Sequence, residues 1–416
     1  MNRTPRNIIF LEMFVPGNTN GVTRCIQVIA NALAKDKAYN ISWIRFLCGG
    51  NCQEFEASKK DYTVKIIPLP TDVNSFLSNS QIRQKFWEET ISEIVHVAGE
   101  VPILHIHTLN LIEFAIIVKQ RILCKIVTHL HCIPWKSLFN KDVNKFNKYY
   151  QNYYLNAKHK SAINFVYNPY EWNCYCKSDC VICVTECARD YIIKNCEKHI
   201  DNIQVVPNGM MDIAGHEFNK CYALSNPVKC LFVGNSHDSK GLKYILESLS
   251  LLVTNYEISL YVAGKVGNKL SDTIQDTYPL LDIHFLGNIP FYQLCDYYMD
   301  SDIGIIASVQ EQCSYVAIEM MMFGLPIITT DVDGLHEMFT SKENSIMIPL
   351  VFDATQGLKP DVKMMATALE TLMTNHRLRK HIGLAARHQF NIRYSQRQMI
   401  NSIKYIYSSL INCDYE

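Results

Sequence analysis

Residues 308 to 331 read SVQEQCSYVAIEMMMFGLPIITTD and place two carboxylates, Glu311 and Glu319, around a helix start. Ser314 has the side chain of an N-cap, residues 315 to 323 have helical composition, Gly324 suits the left-handed residue after a helix, and Pro326 stands where a helix cannot continue. DIGIIAS (302–308) and PIITTD (326–331) flank the helix as strands, so Glu311 is expected in the loop at a strand's carboxyl end. The amides of Cys313, Ser314 and Tyr315 then open a helix, a ready site for a phosphate. A carboxylate beside a phosphate repels it unless hydroxyl groups occupy the carboxylate. Glu311 can accept from a sugar and Glu319 from a ribose, as acidic residues do in dinucleotide folds. A diphosphate held between two polyols, which is a nucleotide sugar, satisfies both carboxylates and amides.

Other groups compete for attention. His105 and His107 end one apolar run, and His129 and His131 another. At a spacing of two, the members of each pair share a sheet face, and four imidazoles at neighbouring strand ends could hold a metal. Ordinary packing and hydrogen bonding is the expectation for them. Asp300-Ser301-Asp302 and Asp331-Val332-Asp333 have the form of a metal-gripping triplet. With a helix amino end and a lysine to hold the diphosphate, no metal is required, and none is expected. Cys174, Cys176, Cys180, Cys183 and Cys187 lack paired C-x2-C spacing and fall across a strand, which disfavours a cluster or zinc.

The elements that must position these groups can be read from the apolar runs. NIIFLEMF (7–14), VPILHIH (101–107), KIVTHLH (125–131), DCVICVT (179–185), KCLFVG (229–234), ISLYVAG (258–264) and DIHFLG (282–287) have strand length and alternate with helical segments. That is the mark of parallel sheets buried on both faces. A strand ending in Pro207-Asn208-Gly209 marks a boundary, after which the alternation restarts. The expected fold is α/β, two doubly wound Rossmann-like domains with a ligand cleft where strand carboxyl ends face each other. The expected boundaries are 1–205 for the first, 206–389 for the second, and a helix over 390–416 crossing back to the first. The Lys-, Asn- and Tyr-rich segment 140–178 reads as a solvated helix hairpin, with an acceptor- or membrane-facing lobe as its alternative.

Composition bounds the function. The chain has 416 residues, 48% hydrophobic and 19% charged, enough for two cores. Lys+Arg and Asp+Glu are both 40, so no basic excess exists to track nucleic acid. The amino-terminal apolar run carries Glu12 and does not read as a secretory signal, and no apolar stretch is long enough to span a bilayer. Sixteen cysteines, many within apolar runs, read as reduced, buried thiols of a cytoplasmic protein.

The pattern Ser308, Glu311, Glu319, Met322, Gly324, Pro326, Asp333-Gly334 and Glu337 resembles the donor segment of family 4 of the retaining glycosyltransferases, which have the GT-B fold. The resemblance runs over nearly the whole chain. Asn20-Gly21-Val22 is similar to the family's first glycine turn, and THLHCIPW (128–135) to the strand end bearing its active-site histidine, here His131. GNSHDSKG (234–241) resembles the phosphate loop, FLGNIP (285–290) the base-contacting turn near Ile289, and 390–410 the returning helix. The resemblance implies that Lys240 binds the donor's β-phosphate and stabilises the leaving diphosphate, with Glu311 and His131 beside the transferred sugar. Gly21, Asn235, Ile289, Cys313, Ser314, Tyr315 and Glu319 complete the implied donor site. Asn235 stands where the family has an arginine, which removes one cationic contact.

The resemblance implies a metal-independent, retaining transfer from a nucleotide sugar, UDP- or GDP-linked, to an acceptor hydroxyl, with no cofactor. The acceptor, whether glycan, lipid-linked or peptide, stays open, as does peripheral contact with the inner face of a membrane. The alternatives are a non-catalytic nucleotide-sugar-binding scaffold and a GT-B epimerase. An oxidoreductase would need a G-x-G-x-x-G turn that neither GNSHDSKG nor AGKVGNK supplies.

Overall fold

The computed structural model describes residues 5–15, 21–49, 55–59, 61–98, 101–133, 136, 169–196, 200–215, 218–353 and 357–412. Most of segment 140–178, with its expected hairpin, lies outside these residues, as do Asn20, Pro134 and Trp135. The chain forms two units. The first is built from the chain up to Asn208 together with Gln396 onward, and the second runs from Gly209 to Ser395.

In the first unit, β1 (Arg6–Phe14), β2 (Tyr39–Leu47), β3 (Phe55–Lys59), β4 (Tyr62–Pro68), β5 (Ile103–Ile106), β6 (Lys125–Leu130), β7 (Cys180–Cys183) and β8 (Ile203–Val205) form one sheet. Their order is β3-β4-β2-β1-β5-β6-β7-β8, parallel except for the edge pair β3–β4. Between β1 and β5 the winding reverses direction, the position where open α/β sheets bind ligands at their carboxyl ends. Helix Gly21–Leu33 crosses from β1 to β2 and buries Cys25, Ile26, Ile29, Ala30 and Leu33, a stripe of helical period. Glu12 is fully buried in β1 because Thr23 donates to one carboxylate oxygen and Arg45 to the other at 2.8 Å.

The last helix, Gln396–Asn412, belongs to this first unit although it comes after the second in sequence. Gln396 donates to the Val28 carbonyl at 3.3 Å and Arg6 to the Ser408 hydroxyl at 2.8 Å.

In the second unit, β9 (Val228–Val233), β10 (Ile258–Ala263), β11 (Asp282–Gly287), β12 (Ile303–Ile306), β13 (Ile327–Thr330) and β14 (Ile346–Ile348) form a wholly parallel sheet in the order β11-β10-β9-β12-β13-β14. All four residues of β12 and of β13 are buried, as continuous apolar runs require when helices cover both faces. A hairpin, β15 (Leu350–Asp353) with β16 (Gly357–Pro360), lies outside the alternation that the apolar runs trace. Each unit keeps its own core, Trp87 with Phe46, Phe76 and Phe114 in the first, and Leu260, Ile303, Ile328 and Leu369 in the second.

Candidate active site

The loop after β12 and helix Tyr315–Met322 form as local chemistry dictates. The Ser314 hydroxyl accepts from the Ala317 amide at 3.4 Å, and Gly324 takes the left-handed conformation at φ 56°. Cys313, Ser314 and Tyr315 stand together at the amino end of that helix. The helix is packed on all sides, and each residue from Ala317 to Met322 is buried.

Two loops distant in sequence converge here. The short helical turn Asp238–Lys240 comes after β9, and Lys240 forms an ion pair with Glu311. Glu311 also accepts from the Ser308 hydroxyl at 3.2 Å. Gly241 makes this approach feasible: at φ +75° a side chain is strained, and a Cβ there would lie 2.1 Å from the Ala307 carbonyl oxygen. From the other side Gly334, at the start of helix Asp333–Met338, donates its amide to the Glu311 carbonyl at 3.1 Å. A Cβ on Gly334 would meet the Gln312 carbonyl oxygen at 1.7 Å. The Glu311 loop is therefore held between two glycine-permitted contacts.

Glu319 is 1% exposed, and one carboxylate oxygen accepts from the Tyr298 hydroxyl. It is an interior group of its helix, not an exposed helix-end acid. The Asn235 carbonyl oxygen of the side chain accepts from the His237 amide at 3.2 Å and shapes the loop before Lys240. Sequence reasoning did not single out Lys265. Its carbonyl accepts from the Ser236 amide at 3.2 Å, which fastens this exposed cation's backbone beside Asn235. The signal was the lysine after Ala263-Gly264 at the end of β10. Ile289 is half-buried just past β11, where Gly287 has φ 65° and its carbonyl accepts from the Gly264 amide at 2.9 Å.

Three of the four triplet aspartates hold neighbouring side chains or backbone. Asp302 accepts from the Lys229 amide at 2.8 Å and Asp300 pairs with the Lys229 ammonium at 2.6 Å. Asp331 meets the His336 ring at 2.6 Å. Burial pushes the thiols of Cys174 and Cys180 up to about 12, which suits packing side chains and not nucleophiles.

In the first unit Gly21 opens helix Gly21–Leu33 and is exposed. The four histidines meet at the carboxyl ends of β5 and β6. Rings of His105 and His129 stack at 5.3 Å, those of His129 and His131 at 4.4 Å, and His107 Nδ1 lies 2.8 Å from His131 Nε2. His105 Nδ1 lies 2.6 Å from the Tyr407 hydroxyl, contributed by the last helix. Burial holds His105 and His131 down at about 3, and burial with mutual repulsion holds His107 and His129 well below the ordinary histidine value. All four rings are neutral at physiological pH.

Two parallel-sheet Rossmann-like units of this kind define the GT-B architecture. Residues 19–210 match the model for "Glycosyltransferase Family 4", and residues 227–375 match that for "Glycosyl transferases group 1". The chain belongs to this family of glycosyltransferases. An uncharacterised glycosyltransferase of Haemophilus influenzae is 23% identical over 372 residues, 87% of this chain and 89% of the relative. Another from Methanocaldococcus jannaschii is 25% identical over 182 residues, 40% of this chain, and the match spans only 46% of that relative's length. Among solved structures, sucrose-phosphate synthase from Thermosynechococcus elongatus superposes with a TM-score of 0.74 at 16% identity, covering 98% of this chain and all of that one. HepE from Anabaena, in complex with UDP-glucose, superposes with a TM-score of 0.67 at 14% identity, covering 96% and 99%.

Proposed function

We propose that this protein transfers a sugar, with retention of anomeric configuration, from a nucleotide sugar to an acceptor hydroxyl, without a metal on the diphosphate and without a cofactor. The observation that carries the reading is the meeting of Lys240 and Glu311, 71 residues apart, beside the amino end of helix Tyr315–Met322. A cation, a hydroxyl-seeking carboxylate and a helix amino end in one place match a sugar diphosphate. The UDP-glucose complex of HepE supports a uridine donor, with a GDP-linked sugar as the alternative.

In this reading the donor exchanges partners with the ion pair. Lys240 turns to the β-phosphate and, with the 313–315 amides, stabilises charge growing on the leaving oxygen. Glu311 turns to the sugar hydroxyls and Glu319 serves the ribose. Gly21, Asn235 and Ile289 line the remainder of the donor, and His131 acts at the transferred sugar. The acceptor hydroxyl attacks on the face the diphosphate leaves, and a phosphate oxygen takes its proton. Lys265 supplies the charge that Asn235 lacks. The acceptor is a glycan, lipid-linked saccharide or peptide hydroxyl. Among the described residues no helix is long and apolar enough to cross a membrane, and any membrane contact in this reading is peripheral, on the cytoplasmic side.

The test is donor hydrolysis without acceptor across a panel of nucleotide sugars. One donor is expected to turn over, and Lys240→Ala and Glu311→Ala are each expected to slow it about 10²- to 10³-fold. Lys265→Ala slows it as well, and Asn235→Arg in that background restores part of the loss. A donor that raises the melting temperature without turnover would favour the binding-only scaffold, in which Asn235 serves its loop and no more. Neither turnover nor stabilisation by any donor would end the nucleotide-sugar reading.

A further inference from the structure

We propose that Cys25, His107, His129 and His131, all in the first unit, form a binding site for a divalent transition-metal ion of the zinc type. One ligand atom from each residue lies within 4.8 Å of all the others. The residues come from three elements: helix Gly21–Leu33, the end of β5, and β6 with the residue after it. A tetrahedral ion with nitrogen and sulfur ligands needs separations of about 3.3–3.8 Å between them. The His107–His131 contact of 2.8 Å must open by about half an ångström, and the widest pair must close by about one. Small side-chain rotations supply both.

His129 is the strongest sign of a ligand. It is 2% exposed, and among the described residues neither ring nitrogen has a hydrogen-bond partner. A buried polar atom left unpaired costs about 1–3 kcal/mol, so such a group in a folded core calls for an explanation. An ion accepts the lone pairs of neutral imidazoles directly. Three imidazoles with one thiol, and no carboxylate, select zinc or cobalt over magnesium or calcium. His105 lies outside the set; Tyr407 engages its Nδ1, and its ring stacks on His129. The bound ion ties the first helix to two strand ends beside the reversal in sheet winding. A ligated imidazole keeps its second N–H as a donor, so His131 can serve both ion and sugar.

Full-length protein stripped with chelator and titrated with cobalt(II) tests the site. About one equivalent should bind, with the visible bands of a tetrahedral centre and a thiolate-to-cobalt charge-transfer band, both bleached by zinc. Cys25→Ser should remove the charge-transfer band. His129→Phe, which keeps ring volume, should weaken binding by more than the ~10- to 100-fold typical of a residue that only supports a ligand. Lys240→Ala should bind cobalt as wild type does while losing donor turnover, so failure here and failure of the glycosyl-transfer reading are distinguishable. Circular dichroism checks that each variant is folded, and if a variant is not, the wild-type charge-transfer band decides. Folded wild-type protein that binds no cobalt, or binds it without that band, would overturn the proposal.

Discussion

Glu171 is a buried acid that the donor chemistry does not use. It is 4% exposed, accepts from the Tyr175 hydroxyl at 2.9 Å, and burial pushes its carboxyl from 4.5 up to about 8. The folded chain therefore holds a proton that the unfolded chain releases between those values. Stability from this group is full below pH 4.5 and falls as pH rises toward 8, by about 1.4 kcal/mol per pH unit. Glu171→Gln keeps the shape and removes the loss. Its thermal midpoint should exceed wild type near pH 8 and converge with it near pH 4.5. Equal midpoints at pH 8 would mean that the carboxyl stays ionised in the fold. Lys240 and Glu311 pose the opposite case: each is partly exposed and neutralised by the other, so their worth lies in what they release to a ligand, and surface-type ion pairs contribute little stability.

At the level of elements, two glycines hold the Glu311 loop. Gly334→Ala puts a methyl group 1.7 Å from the Gln312 carbonyl oxygen, so helix Asp333–Met338 or the loop must retreat. A stability loss of about 1–3 kcal/mol is expected. Donor-induced thermal stabilisation should fall with it, because the displaced loop carries Glu311. Gly267→Ala is the control, since among the described residues nothing lies within 4 Å of the added Cβ and the position needs no unusual backbone angle. A Gly334→Ala protein with wild-type melting and wild-type donor response would mean that the loop gives way freely. The strand–loop–helix unit itself depends on nearby residues, Ser314 at one end and Gly324 at the other.

For the whole molecule, the first unit is completed by the last segment of the chain. Helix Gln396–Asn412 buries Met399, Ile400, Ile403, Ile406, Tyr407 and Leu410. Removing it after Ser395 exposes partners worth on the order of 10 kcal/mol, comparable to the stability of a typical domain. Calorimetry of the truncated chain should show the first unit's transition lost or strongly lowered and the second unit's retained. Two unchanged transitions would show that the first unit stands without the helix.

Local chemistry determined much of this protein from the sequence alone. Apolar runs marked β1, β5, β6, β7, β9, β10, β12 and β13, because a strand buried on both faces has few polar positions to spare, and β11, at the sheet edge, was marked by a shorter run that leaves Asp282 and His284 exposed. The cap at Ser314 and the left-handed Gly324 were legible because each depends on a few neighbouring residues. The motif order pointed to the family for the same reason: each motif is a short stretch with its own chemistry. Tertiary structure alone decided the rest. It paired Lys240 with Glu311, sealed Glu319 against Tyr298, set Lys265 beside Asn235, and brought Cys25 to three histidines. Those contacts join residues far apart in the chain. Periodicity tells which face a side chain occupies, but strand order and close backbone approach determine what that face meets.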